Sequence, residues 1–137
     1  MTYLVAYFTA LVVFGVIDAA WLSTMGNIIY RPLLGDLLAS SVRIAPAIAF
    51  YLMFPAGLVF FAVLPALRAG SLTSALVTGA LLGAFAYATY DLTNQATLRV
   101  WPIQITLMDI AYGAVASGLA AMAAFAMVRW VVGSSAV

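Results

Sequence analysis

Residues 3–22 read YLVAYFTALVVFGVIDAAWL, a run of about 20 almost wholly apolar side chains that spans about 30 Å as an α-helix, the thickness of a bilayer's hydrocarbon core. A signal peptide needs a basic leading region, which MTYLV lacks, and an unbroken apolar stretch, which Asp18 interrupts. The run therefore reads as a retained first transmembrane helix. The whole chain supports this: its 137 residues are 67% hydrophobic and 7% charged, against about 45–50% and about 25% in soluble domains. Lipid rather than water is the solvent this composition suits, and the expected class is an all-α integral membrane four-helix bundle forming a single domain over residues 1–137.

Three further crossings follow from the same arithmetic, at about residues 44–67, 72–98 and 103–128. In the second, Pro55 lies mid-span and is expected to kink the helix. The third carries Gly79 and Gly83 at a four-residue spacing, a small-residue face that lets another helix come close and that would also suit a homo-oligomer or a larger membrane complex. Between the first and second crossings, residues 23–43 are mixed. Gly26 and Asn27 are expected to end the first helix, and Pro32 to begin a short interfacial one whose Leu33, Leu34, Leu37 and Leu38 oppose Ser40 and Ser41.

Absences restrict the chemistry. Without Cys or His there is no disulfide, thiolate nucleophile or imidazole base, and neither haem nor zinc ligated through those residues. A formal charge of +1 gives no nucleic-acid signal. The charged side chains are Arg31, Arg43, Arg68, Arg99, Arg129, Asp18, Asp36, Asp91 and Asp109. An up-and-down bundle puts Arg31, Arg43 and Arg99 at one end and Arg68 and Arg129 at the other, a difference too small to set orientation.

Asp18, Asp91 and Asp109 fall at the end that holds Arg31, Arg43 and Arg99, each roughly 6–11 Å inside the helix boundary. A carboxylate facing lipid costs up to about 2.5–3.5 kcal/mol, so all three should face inward. Arg31, Arg43 and Arg99 are the expected counter-ions. Asn94 and Tyr87 lie one helical turn from Asp91, and Thr106 and Tyr112 about one turn from Asp109. The candidate binding residues are thus Asp18, Trp21, Arg43, Tyr87, Asp91, Asn94, Arg99, Asp109 and Tyr112, roofed by Trp21, Trp101 and the 23–43 segment. Asp18, Asp91 and Asp109 are the candidates for catalysis, and for holding a divalent hard cation such as Mg²⁺ if one binds. The bland alternative is that these groups only lock the bundle's register, and that Trp21, Tyr30, Trp101, Tyr3, Tyr7 and Trp130 form interfacial belts. The interval from Asp18 to Asp36 equals that from Asp91 to Asp109, but the flanking residues agree poorly and coincidence is the simpler reading.

The run Tyr90-Asp91-Leu92-Thr93-Asn94-Gln95-Ala96-Thr97-Leu98, followed by Trp101-Pro102 and Asp109-x-x-Tyr112-Gly113, resembles a bacterial membrane family, domain of unknown function 2177 (DUF2177). Asp18-x-x-Trp21-Leu22, Ala47 to Tyr51 and Gly79 to Gly83 look like the same pattern, so the resemblance covers nearly the whole chain. Tyr112 departs from it, standing where the family pattern carries Trp. The resemblance implies four membrane helices in a bacterial envelope, here a multi-pass protein of the inner membrane, and carries no activity with it. Three functions are compatible with these features. One is a one-sided pocket that binds, and acts on, the polar head of a lipid-like amphiphile. Another is a small proton- or cation-coupled transporter working as a dimer, although transport sites usually lie nearer the midplane. The last is an accessory subunit packed on a larger complex through the Gly79/Gly83 face.

Overall fold

In the computed structural model, which describes residues 1–133, the apolar runs form α1 (Thr2–Met25), α3 (Ile44–Leu58), α5 (Leu72–Thr97) and α6 (Ile103–Val131), with short α2 (Arg31–Leu34) and α4 (Leu64–Ala69) extending α1 and α3. Residues 134–137 of the expected domain lie outside the described residues. Four helical stretches, 2–37, 44–69, 72–97 and 103–131, are long and apolar enough to cross a membrane, and no strand occurs among the described residues.

The first crossing does not end at Gly26 and Asn27. Gly26 keeps helical dihedrals (φ −54°, ψ −44°), and the chain passes through a wide turn, Gly26–Tyr30, before α2 and a 3₁₀ turn, Gly35–Leu37. The short helix expected from Pro32 is present as α2, with Pro32 in its first turn, and it is joined to α1 through this wide turn. Proline explains the wide turn. Pro32 lacks an N–H and its ring would collide with the carbonyl four residues back. Just before it, the Arg31 N–H reaches five residues back, to the Gly26 carbonyl, which loosens the helix where the ring must fit. The same device recurs at the second wide turn, Val59–Val63, where the Leu64 N–H bonds the Val59 carbonyl immediately before Pro65. The irregularity in the second crossing thus follows Pro55 and directly precedes Pro65.

Elsewhere the turns are tight. Gly70 closes α4 in the left-handed region (φ 63°), with Ser71 N–H on the Ala66 carbonyl at 3.1 Å, and Ser71 Oγ caps α5 by accepting from Ser74 N–H at 3.1 Å. Residues 98–102 link α5 to α6, with Pro102 at the N-cap.

Packing follows a four-residue rhythm. The buried face of α1 is Thr2, Ala6, Ala10, Phe14 and Asp18; that of α5 includes Ala75, Gly79, Gly83 and Asp91; that of α6 includes Asp109, Gly113, Ser117, Ala121 and Phe125. Residues four apart lie on nearly the same side, each step turning the row by about 40°, so each stripe is a gently winding seam, and small side chains let the backbones touch. α6 is the central element, packed on α5 along one side and α1 along the other, while the Val59–Val63 turn closes the bundle against α1, α5 and α6. A Cβ added at Gly79 would lie 2.6 Å from the Ala121 Cβ and 2.9 Å from the Ser117 carbonyl, and one at Gly83 would lie 2.6 Å from the Ser117 Cβ. Both glycines thus lie against α6 of the same chain.

Gly83→Ala should lower stability by about 1–3 kcal/mol, because α6 must move to admit one methyl group. Gly15→Ala, where a new Cβ meets nothing within 4 Å, should be neutral or stabilising by up to about 1 kcal/mol. Thermal unfolding of both variants in the same detergent checks the contrast; equal melting temperatures would refute the seam.

Candidate functional site

Each seam ends in an aspartate at the same end of the bundle. On α1, Asp18 sits one turn beyond Phe14; on α5, Asp91 sits two turns beyond Gly83; on α6, Asp109 sits one turn before Gly113. Asp18 is 6% exposed, Asp109 8% and Asp91 0%. The expectation that they face inward is therefore met by the geometry.

Their partners are not arginines. Tyr112 Oη donates to Asp18 Oδ1 at 2.7 Å, and Tyr51 Oη donates to Asp18 Oδ2. Tyr30 Oη donates to Asp109 Oδ1, and accepts from Trp21 Nε1 at 2.9 Å. Among the described residues, Arg31, Arg43 and Arg99 make no ion pair with any carboxylate. The expected counter-ions are thus replaced by phenols and an indole. Reach explains why: Arg31, Arg43 and Arg99 are exposed, so turning a guanidinium down onto a buried carboxylate would strip it of solvent and fix a long side chain. Tyr30, Tyr51 and Tyr112 present rigid donors from helical backbone already beside the aspartates.

Asp91 faces Asp109 and the Trp101 indole, yet neither of its oxygens, nor Trp101 Nε1, completes a hydrogen bond. Thr106 Oγ1, 2% exposed and one turn from Asp109 on α6, is also unpartnered. Among the described residues no three carboxylates gather closely enough to chelate a cation: Asp18 is occupied by two tyrosines, which leaves Asp91 with Asp109. The equal interval from Asp18 to Asp36 has no structural counterpart either, since Asp36 is exposed in the 3₁₀ turn while Asp109 is buried.

Aromatic rings form a layer directly below. Phe14 packs on Phe54 with ring centres 4.9 Å apart and on Phe50 at 6.0 Å; Phe54 meets Tyr87 at 6.5 Å, and Tyr87 meets Tyr112 at 5.8 Å. Trp21 stacks nearly parallel on Tyr112, 4.3 Å apart at 13°. Above this layer lies a cavity of about 720 Å³. It is lined by buried Asp18, Asp109 and Tyr112, by half-buried Trp21, Tyr30, Tyr51, Tyr87 and Trp101, and by exposed Arg31 and Arg43 with their neighbours in the 38–42 segment, which mark its outer part. A volume of this size, mostly apolar with a few convergent polar groups, is typical of a small-molecule site.

Of the sequence candidates, Asp18, Trp21, Arg43, Tyr87, Asp109 and Tyr112 line this one cavity. Asp91 is fully enclosed behind Asp109, Asn94 is half-buried outside the lining, and Arg99 is exposed outside it. Tyr30, Tyr51 and Arg31 are the contributors that the candidate set omits. Tyr51 had a local signal, one turn beyond Ala47 and one turn before buried Pro55 on the inward face of α3. Tyr30 had none, because its carboxylate partner lies 79 positions along the chain.

The family model described as Predicted membrane protein (DUF2177) matches residues 3–126, and the chain belongs to that family. No curated protein and no solved structure matches it.

Tyr112→Phe should destabilise the protein by about 1–3 kcal/mol, since it leaves one oxygen of a buried carboxylate without its donor. Tyr7→Phe, which removes a hydroxyl on the exposed Leu52 carbonyl at 3.1 Å, should cost less than about 1 kcal/mol. In a double-mutant cycle with Asp18→Asn, Tyr112→Phe should show coupling of about 1 kcal/mol or more in thermal stability; additivity would mean that the pair does not interact.

Proposed function

We propose that this multi-pass membrane protein of the DUF2177 family binds the polar head of an anionic, lipid-like amphiphile in the cavity between α1, α3, α5 and α6, and that it works in a bacterial inner membrane. The observation that carries this reading is the pairing of two features in one cavity: carboxylates already satisfied by tyrosines at the bottom, and two arginines without carboxylate partners, Arg31 and Arg43, at the outer part. A guanidinium beside the headgroup level with no protein anion to pair with is suited to a phosphate. The phenols, fixed by their aspartates, offer hydroxyl oxygens to the head's polar groups.

The aromatic layer under Asp18 favours this over the transporter reading. Phe14 is fully buried, and packed on Phe54 it fills the bundle between α1 and α3 below the cavity. A head group admitted from one membrane face meets a closed floor. For chemistry on the bound head, the pair Asp91 and Asp109 is the place to look, since facing carboxyls in a dry site are suited to proton transfer.

The test is lipid retention. Protein purified in neutral detergent should keep phosphatidylglycerol in preference to phosphatidylcholine, and the double variant Arg31→Gln/Arg43→Gln should weaken the anionic lipid by about tenfold or more while leaving the neutral one unchanged. Equal retention of both lipids by wild type, or no change in the double variant, would overturn the proposal.

A further inference from the structure

The polar cavity adjoins two apolar recesses, and the way each is joined to it differs. Between α1 and α6 runs a groove of about 760 Å³ that shares Trp21 and Tyr112 with the cavity. Those two rings are stacked on each other, and Tyr112 is tied to Asp18, so together they form a wall between groove and cavity. Between α3 and α5 lies a smaller slot of about 360 Å³, lined by Phe50, Phe54, Ala86, Tyr87 and Tyr90. It shares Phe50, Tyr87 and Tyr90 with the cavity, and the rings that meet across it, Phe54 and Tyr87, do so edge-on rather than in a close parallel stack. α3 packs on α1 and makes no comparable contact with α5; the second crossing meets α5 further along, at the Val59–Val63 turn and α4. Phe54 and Tyr87, in edge contact at 6.5 Å, form the slot's floor.

We propose that this slot is a lateral portal that holds the hydrocarbon chain of the anionic lipid whose head occupies the cavity, the chain passing between α3 and α5 into the bilayer. The inference rests on the head-binding reading above and specifies the ligand class: an alkyl-chain lipid held by head and chain together, rather than a soluble anion. Continuity carries it. A head placed against Arg31 and Arg43 has hydrocarbon-lined space adjoining it on the α3/α5 side, while the stacked Trp21–Tyr112 pair stands in the way on the α1/α6 side. Phe50 and Tyr90 present flat apolar faces that suit a mobile chain, and Ala86 leaves the width. Chain burial there adds affinity in proportion to length.

The experiment separates head from chain. Wild-type protein in neutral detergent is titrated with dioleoyl phosphatidylglycerol and with glycerophosphoglycerol, the same head without acyl chains, beside Ala86→Trp and the milder Ala86→Leu, each checked for an unchanged melting temperature. Filling the slot should weaken the dioleoyl lipid by about tenfold, the equivalent of about two buried methylenes, and leave the chain-free head unchanged. If the Trp variant does not fold, the Leu variant should show the same selectivity to a smaller degree. Unaltered dioleoyl binding, or an equal loss of both ligands, overturns the portal while the arginine site stands. Failure of wild type to bind the dioleoyl lipid, or its indifference to Arg31→Gln/Arg43→Gln, overturns the head-binding reading and the portal with it.

Discussion

Three aspartates buried in an apolar bundle must find donors within reach, and that requirement organises the polar end of this protein. A carboxylate left facing hydrocarbon costs about 2.5–3.5 kcal/mol, while each hydrogen bond to a charged acceptor returns about 1.5–3 kcal/mol. Two phenols on Asp18 are therefore of the right size to offset its burial, and one phenol, itself held by an indole, serves Asp109. The donors are rigid and short, so the helices can stay as close as their small-residue seams allow. Arginine would have demanded room and water that these seams do not leave.

The same constraint separates two groups of polar side chains by depth. Tyrosine and tryptophan neutralise the demand of the aspartates from within, and Arg31 and Arg43 are left uncommitted further out, lining the same cavity. Close backbone packing below, sealed by Phe14 and its ring neighbours, gives the site a floor. Small-residue seams that run toward a polar, aromatic-lined cavity at the aspartate end are the arrangement on which the proposed headgroup site rests. Asp91 is the exception: its oxygens are enclosed without a bond, beside the equally unpartnered Trp101 Nε1.

Much of this was legible in the sequence because membrane burial leaves a direct trace. Apolar runs of the length of a bilayer gave the four crossings, and helical spacing put Asp18, Asp91 and Asp109 at one level with Tyr87 and Tyr112 near them. What spacing along one helix does not carry is the identity of partners between helices. Opposite charge suggested Arg31, Arg43 and Arg99, whereas proximity selected Tyr30, Tyr51 and Tyr112. The glycine at 26 suggested a break, but glycine tolerates helix as well as turn, and it was the proline at 32 that reshaped the chain, by widening the turn before it rather than ending the helix. Gly79 and Gly83 correctly marked a close approach, and only the fold assigned it to α6 of the same chain.

The most direct test of the account is a density map of the protein in a lipid nanodisc at a resolution that shows side chains. The account predicts Asp18 held between Tyr51 and Tyr112, Tyr30 on Asp109, and the guanidinium groups of Arg31 and Arg43 turned toward density that belongs to no residue of the chain. A map in which those arginines instead fold down onto Asp18 and Asp109, with the phenols turned away, would contradict it.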